Sequence, residues 1–139
     1  MSERVFVDSS VLLCAHDLEA GEKRAIAEHV LRTLWADRSG ALSVQVLEEF
    51  YDAFTARATT AAAKRVGREL VEVYSTWRVA ALDAADLLAA CDHAERYQVL
   101  VRDATILVAA RKVRATVLLT DSLHHGWHVG GVEIRNPFV

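Results

Sequence analysis

Acidic side chains stand where short apolar runs stop in this 139-residue chain. Val5-Phe6-Val7 runs into Asp8, Val117-Leu118-Leu119-Thr120 runs into Asp121, and Val99-Leu100-Val101 is followed by Arg102-Asp103. Glu49 falls at the edge of the apolar stripe Val46, Leu47, Phe50, Phe54 of a helix. Strand ends of an open parallel α/β sheet deliver such residues to its carboxyl edge, where these sheets place their sites. Carboxylates gathered there repel one another, and burying them unpaired costs roughly several kcal/mol. A divalent cation resolves that conflict. Oxygen-only donors, with no Cys or well-placed His among them, point to Mg²⁺ or Mn²⁺ rather than zinc. Hard ions so held activate water and stabilise a leaving oxygen, so metal-assisted phosphodiester hydrolysis is the leading reaction class.

Each residue also has a plainer reading. Asp8 can cap a helix that begins at Ser9-Ser10, Asp103 can complement a helix N-terminus, Asp121-Ser122 can be turn residues, and Glu49 can be a partly exposed helix carboxylate like Glu48. Convergence of several on one sheet edge is what favours chemistry. His124, His125 and His128 match no common zinc-ligand spacing. Arg57, Lys64, Arg65 and Arg68 gather on or beside one helix and could follow a phosphate backbone, although a solvated face explains them as well. Trp35, Trp77 and Trp127 do not interleave with that basic group, so no stacking platform for single strands is expected.

The elements that must position these residues follow from the pattern of the chain. Strands are expected at Arg4–Asp8, Ala41–Ser43, Trp77–Ala80, Thr116–Thr120 and, at an edge, Val132–Ile134. Between them fall helices from Ser9 or Ser10 as cap to about His16, Gly21–Arg38, Val44 to about Ala58 with Ser43 as cap, Thr60–Tyr74, Asp83–Tyr97 and Ala104–Val113. The Gly21–Arg38 helix should turn Ala25, Ile26, Val30, Leu31 and Leu34 inward. Alternation of strands with crossover helices implies a parallel sheet flanked by helices, and nothing marks a domain boundary, so 1–139 reads as one domain.

Composition bounds the rest. With 16 Lys+Arg against 19 Asp+Glu the formal charge is −3, and 53% of residues are hydrophobic. Such a chain can bury a core without disulfides or a structural metal and is not a disordered acidic chain. A protein holding nucleic acid by bulk charge would be basic. Cys14 and Cys91 form no metal or redox motif and read as two buried cytosolic thiols. The opening Met1-Ser2-Glu3-Arg4 lacks the apolar core of a secretory signal, and no stretch is long enough to span a membrane, so the cytoplasm is the expected compartment.

Five blocks then show a resemblance: Val5-Phe6-Val7-Asp8-Ser9-Ser10-Val11-Leu12, Leu42 through Tyr51 with Glu49, Asp103-Ala104-Thr105-Ile106-Leu107-Val108-Ala109-Ala110, Leu118-Leu119-Thr120-Asp121-Ser122, and Asn136-Pro137-Phe138. In this order the chain resembles PIN-domain proteins, and among them the VapC-type toxins of bacterial toxin–antitoxin pairs. The resemblance spans nearly the whole chain. It implies a three-layer α/β/α sandwich with a central parallel sheet of four to five strands, and a ribonuclease using Mg²⁺ or Mn²⁺. It makes Asp8, Glu49 and Asp103 the metal site and Ser10 its small polar neighbour. Ser10, Thr120, Asp121 and Ser122 are then candidates for orienting water or phosphate, with Asp121 also a catalytic candidate beside the three acids. It further implies an RNA substrate, a homodimer, and a small antitoxin that places a basic side chain among the carboxylates. One block departs from the pattern: Ser122 stands where relatives of this type carry a carboxylate, with Asp121 one residue earlier. That departure supports an alternative, a degenerate PIN domain that binds RNA or a protein partner without cutting. A phosphatase or phospho-acceptor domain expects a second carboxylate at the position of Ser10.

Overall fold

The computed structural model describes residues 3–139, so Met1 and Ser2 of the opening segment lie outside the described residues. Its elements are β1 (Val5–Val7), α1 (Ser9–Ala15), α2 (Glu22–Asp37), β2 (Gly40–Ser43), α3 (Val44–Thr55), α4 (Ala61–Tyr74), β3 (Arg78–Ala80), α5 (Ala84–Tyr97), α6 (Val101–Lys112), β4 (Val117–Leu119), β5 (His128–Val129) and β6 (Val132–Arg135). β1 and β4 are buried throughout because both faces of the sheet are covered, which is why their sequences are unbroken apolar runs rather than alternating ones.

The sheet order is β3-β2-β1-β4-β6-β5. The first five of these strands are mutually parallel, and β5 pairs antiparallel with β6 through a hairpin. Gly130 and Gly131 make the turn, at φ 56° and 84°, a conformation other residues adopt only with strain. Val132–Ile134 is therefore not the edge strand expected from the sequence: β5 lies outside it. A two-residue strand has no periodicity of its own to reveal it.

Helix α1 packs against both α2 and α3, α3 packs against α4, and α5 packs on α6, which touches β2, β3, β4 and β6. Phe6, Val7, Leu12, Leu42, Phe50, Leu107, Leu118 and Ile134 fill the core between the layers. Two local expectations change. The inward face of α2 is Ala27, Leu31 and Leu34, with Val30 packed at its margin, while Ala25 and Ile26 are exposed. The first turn of α6 already begins at Val101, which places Arg102 and Asp103 inside the helix rather than before it. No helix among the described residues is long and apolar enough to cross a membrane.

Candidate functional site

The chain builds β1, β2 and β3 outward in one direction and then returns to lay β4 on the other side of β1. The reversal leaves a crevice beyond the carboxyl ends of β1 and β4, the kind of switch point at which open α/β sheets bind ligands. Asp8 follows β1 and Thr120 follows β4. The backbone N–H of Asp8 donates to the Leu119 carbonyl at 3.0 Å, and the Thr120 hydroxyl donates to Asp8 Oδ2 at 2.7 Å.

Asp8 is also the N-cap of α1: its Oδ1 accepts the Ser9 N–H at 2.7 Å, so Asp8 rather than either serine caps this helix. The capping role read from the sequence is thus realised, in a side chain only 1% exposed. Asp103, in the first turn of α6, is 9% exposed. Its Oδ1 accepts from the Ser122 hydroxyl at 2.9 Å. Ser122 in turn donates its backbone N–H to Thr120 Oγ1 at 3.2 Å, so one short segment after β4 fixes both aspartates. Glu49 reaches the same crevice from α3, whose start is set by Ser43 accepting the Val46 N–H at 3.2 Å. Its side chain is 40% exposed and forms the open rim.

Arg102 lies at the centre. Its Nε and Nη2 donate to the two oxygens of Glu49, both at 2.9 Å, and its Nη2 and Nη1 donate to the two oxygens of Asp8 at 2.7 and 3.1 Å. Nη1 also reaches Asp103 Oδ1 at 3.2 Å, and Nη2 reaches Ser9 Oγ at 3.1 Å. The guanidinium therefore forks two carboxylates at once and touches the third. Burial alone would lower its pKa, but the bonds and charges of Asp8 and Glu49 outweigh burial and raise it above its ordinary value, so it stays charged.

Sequence reasoning found the three carboxylates and missed Arg102 and Ser9. A signal for Arg102 exists: a cation in a helix's first turn opposes the macrodipole, and such a placement calls for an acidic partner. Of the other candidates, Thr120 and Ser122 belong to the cluster. Ser10 is half-buried in α1, its Oγ buried without a partner, and it hydrogen-bonds none of the carboxylates. Asp121 is exposed and shares no hydrogen bond with them. Its charge acts instead near Cys14, whose thiol burial pushes up, with Lys23 opposing and Asp121 adding to the rise. Cys14 is only half-buried and Cys91 is exposed, so neither is the fully buried thiol expected from the sequence. His125 Nδ1 accepts the Asn136 N–H at 2.9 Å, and His128 faces Glu133 across the hairpin, so both lie with the β5–β6 hairpin and its flanks and hydrogen-bond none of the carboxylates of the crevice. Arg68 pairs with Glu72 one helical turn away.

All the charged donors of the crevice are carboxylate oxygens, and they already converge on one positive group, which is the donor chemistry a hard divalent ion requires. Among the described residues, however, no three His, Cys, Asp or Glu side chains are gathered closely enough to hold a metal ion as they stand. The guanidinium separates them, with Glu49 along its Nε–Nη2 edge and Asp8 along its Nη1–Nη2 edge.

No protein-family model matches the chain, and no curated protein matches it. Solved structures share its fold. The sarcin–ricin-loop-cleaving toxin VapC20 of Mycobacterium tuberculosis superposes with a TM-score of 0.64 at 20% identity, over 82% of this chain and 86% of that one. A toxin–antitoxin complex from Klebsiella pneumoniae gives 0.69 at 19% identity, over 96% and 97%. FitAB bound to an IR36 DNA fragment gives 0.69 at 16% identity, over 97% and 96%. The chain accordingly shares the α/β/α fold of these structures, the architecture that its five sequence blocks imply.

Proposed function

We propose that this protein is a metal-dependent endoribonuclease acting as the toxin of a toxin–antitoxin pair. The observation that carries the reading is the convergence of Asp8, Glu49 and Asp103, from three distant segments, on a single cation at the switch point of the sheet. The shared fold of toxin structures supports it. Asp8, Asp103 and Glu49 would hold Mg²⁺ or Mn²⁺, which when bound supplies Lewis acidity to water and to the leaving oxygen of an RNA phosphodiester. Asp8 is held in place by the Ser9 N–H and the Thr120 hydroxyl, so its lone pairs need no reorganisation when charge develops nearby. Thr120 and Ser122 present hydroxyls at the same edge and can orient water or a phosphate oxygen. An antitoxin that inserts a cation into the crevice would silence the enzyme. A homodimer and a cytoplasmic site of action complete the reading.

The test is cleavage of total RNA by the purified protein with Mg²⁺, with EDTA, and as Asp8→Asn. Asp8→Asn keeps the cap acceptor and removes one negative charge, so it should fold and lose cleavage by at least 100-fold. Full activity of that variant, or of the wild type in EDTA, would sink the metal mechanism.

A second reading has a specific observation behind it. Arg102 pairs with the carboxylates from within, and Ser122 replaces a family carboxylate, as expected of a degenerate PIN domain that binds RNA or a protein without cutting. Absence of Mn²⁺ binding at millimolar concentration in every variant would select it.

A further inference from the structure

We propose that Arg102 is a resident counter-cation that competes with the catalytic metal for the same oxygens, keeping the site closed until the ion displaces it. The inference rests on the metal-site reading above. Asp8, Glu49 and Asp103 offer six carboxylate oxygens, and Arg102 engages five of them: both of Asp8, both of Glu49 and Oδ1 of Asp103. A guanidinium has five N–H donors, and these contacts use them all. A small ion needs oxygen lone pairs at about 2.0–2.1 Å in near-octahedral array. Lone pairs committed to N–H bonds on two edges of a planar group are not so arranged. The ion and the guanidinium therefore exclude each other from the shared oxygens.

Exposure shows which parts can move. Asp8 and Asp103 are 1% and 9% exposed and anchored by Ser9, Thr120 and Ser122, whereas Arg102 is 35% exposed and lies on the solvent side with Glu49. Arg102 can swing outward on its flexible stem while the two aspartates keep their places. Charge favours the exchange when metal is plentiful: three carboxylates and one guanidinium leave −2, and three carboxylates with a divalent ion leave −1. When metal is scarce the arginine spares the fold a buried, unpaired acidic cluster. Its cost is apparent metal affinity, lowered by the fraction of molecules in which the cage is closed.

The experiment is Mn²⁺ titration calorimetry on the full chain as wild type, Arg102→Gln and Arg102→Lys, with thermal melting in EDTA to establish folding. Arg102→Gln should bind Mn²⁺ at least tenfold more tightly than wild type. Arg102→Lys should fall between, because an ammonium keeps the charge but cannot fork two carboxylates. Should Arg102→Gln fail to fold, the wild type supplies an independent readout: the Nε–H resonance of Arg102, held by Glu49, should move toward that of a free arginine as Mg²⁺ is added. Equal Mn²⁺ affinity in wild type and Arg102→Gln, weaker binding by Arg102→Gln, or an Nε–H unmoved by saturating Mg²⁺ would each overturn the competition and leave the metal reading standing. No Mn²⁺ binding by a folded Arg102→Gln would overturn both.

Discussion

Ser122 shows how one residue can decide the strength of this site. Its hydroxyl donates to Asp103 and its backbone N–H to Thr120, so it acts as a neutral brace where the resembled family carries an acid. Ser122→Asp removes a hydrogen bond to a charged acceptor and sets a like charge beside Asp103. The expected loss is about 1.5–3 kcal/mol of stability in EDTA. The added carboxylate is also a further oxygen donor, so Mn²⁺ should return more stability to the variant than to the wild type. Urea unfolding in EDTA and in Mn²⁺ checks both halves. An equal loss in the two conditions would mean that position 122 faces away from the metal. Thr120→Val tests the neighbouring contact: it strands one lone pair of the buried Asp8 and should cost about 1.5–3 kcal/mol by the same measurement.

The elements that carry these residues are held from their far ends. Gly40 opens β2, and a Cβ built there would meet the Trp77 ring at 2.5 Å. That ring is itself packed edge-on against Trp35 and Tyr74, so it cannot yield cheaply. Gly40→Ala should destabilise by about 1–3 kcal/mol through overpacking, read by urea unfolding. Gly40 lies at the amino end of β2, remote from the crevice, so RNA cleavage well below the melting temperature should be unchanged. Much of this level was legible in the sequence. The unbroken apolar runs ending at Asp8 and Thr120 announced buried parallel strands, and Ser43, Thr60 and Asp83 announced helix starts that the structure realises as side-chain caps. Other features were hidden for physical reasons. β5 is defined by a hairpin with β6 and not by any pattern of its own. Ala25 and Ile26 fit a helical stripe, but the face of α2 that meets the core is set by tertiary packing, which no local periodicity specifies. Arg102 belongs to the site through a partner 94 positions away, and only the topology brings them together.

At the scale of the whole molecule, an aromatic cluster ties the four-helix layer into one unit. His16 ends α1, Trp35 comes from α2, Phe50 and Phe54 from α3, and Tyr74 from α4, with ring centroids 5.6–6.2 Å apart in the contacting pairs. His16 Nε2 and the Tyr74 hydroxyl share a 2.7 Å hydrogen bond inside it. Burial lowers the His16 pKa below its ordinary 6.5, with Glu28 opposing and Arg24 reinforcing the shift. Burial also pushes Tyr74 up to about 12, so its hydroxyl keeps its proton at any physiological pH. As pH falls through 6.5 the unfolded chain takes up a proton at position 16 that the folded chain still refuses. Stability is therefore full above that pH and declines below it until the folded His16 titrates as well. His16→Gln removes this dependence while keeping a polar partner for Tyr74. The difference in urea-unfolding free energy between pH 7 and pH 5 should consequently be smaller in His16→Gln than in wild type, with carboxylate effects common to both. Tyr74→Phe should cost about 1 kcal/mol at pH 7 from the lost bond. It should retain the acid sensitivity, since burial, the larger cause of the shift, survives the change. An acid sensitivity lost in Tyr74→Phe but kept in His16→Gln would assign the effect to groups other than His16.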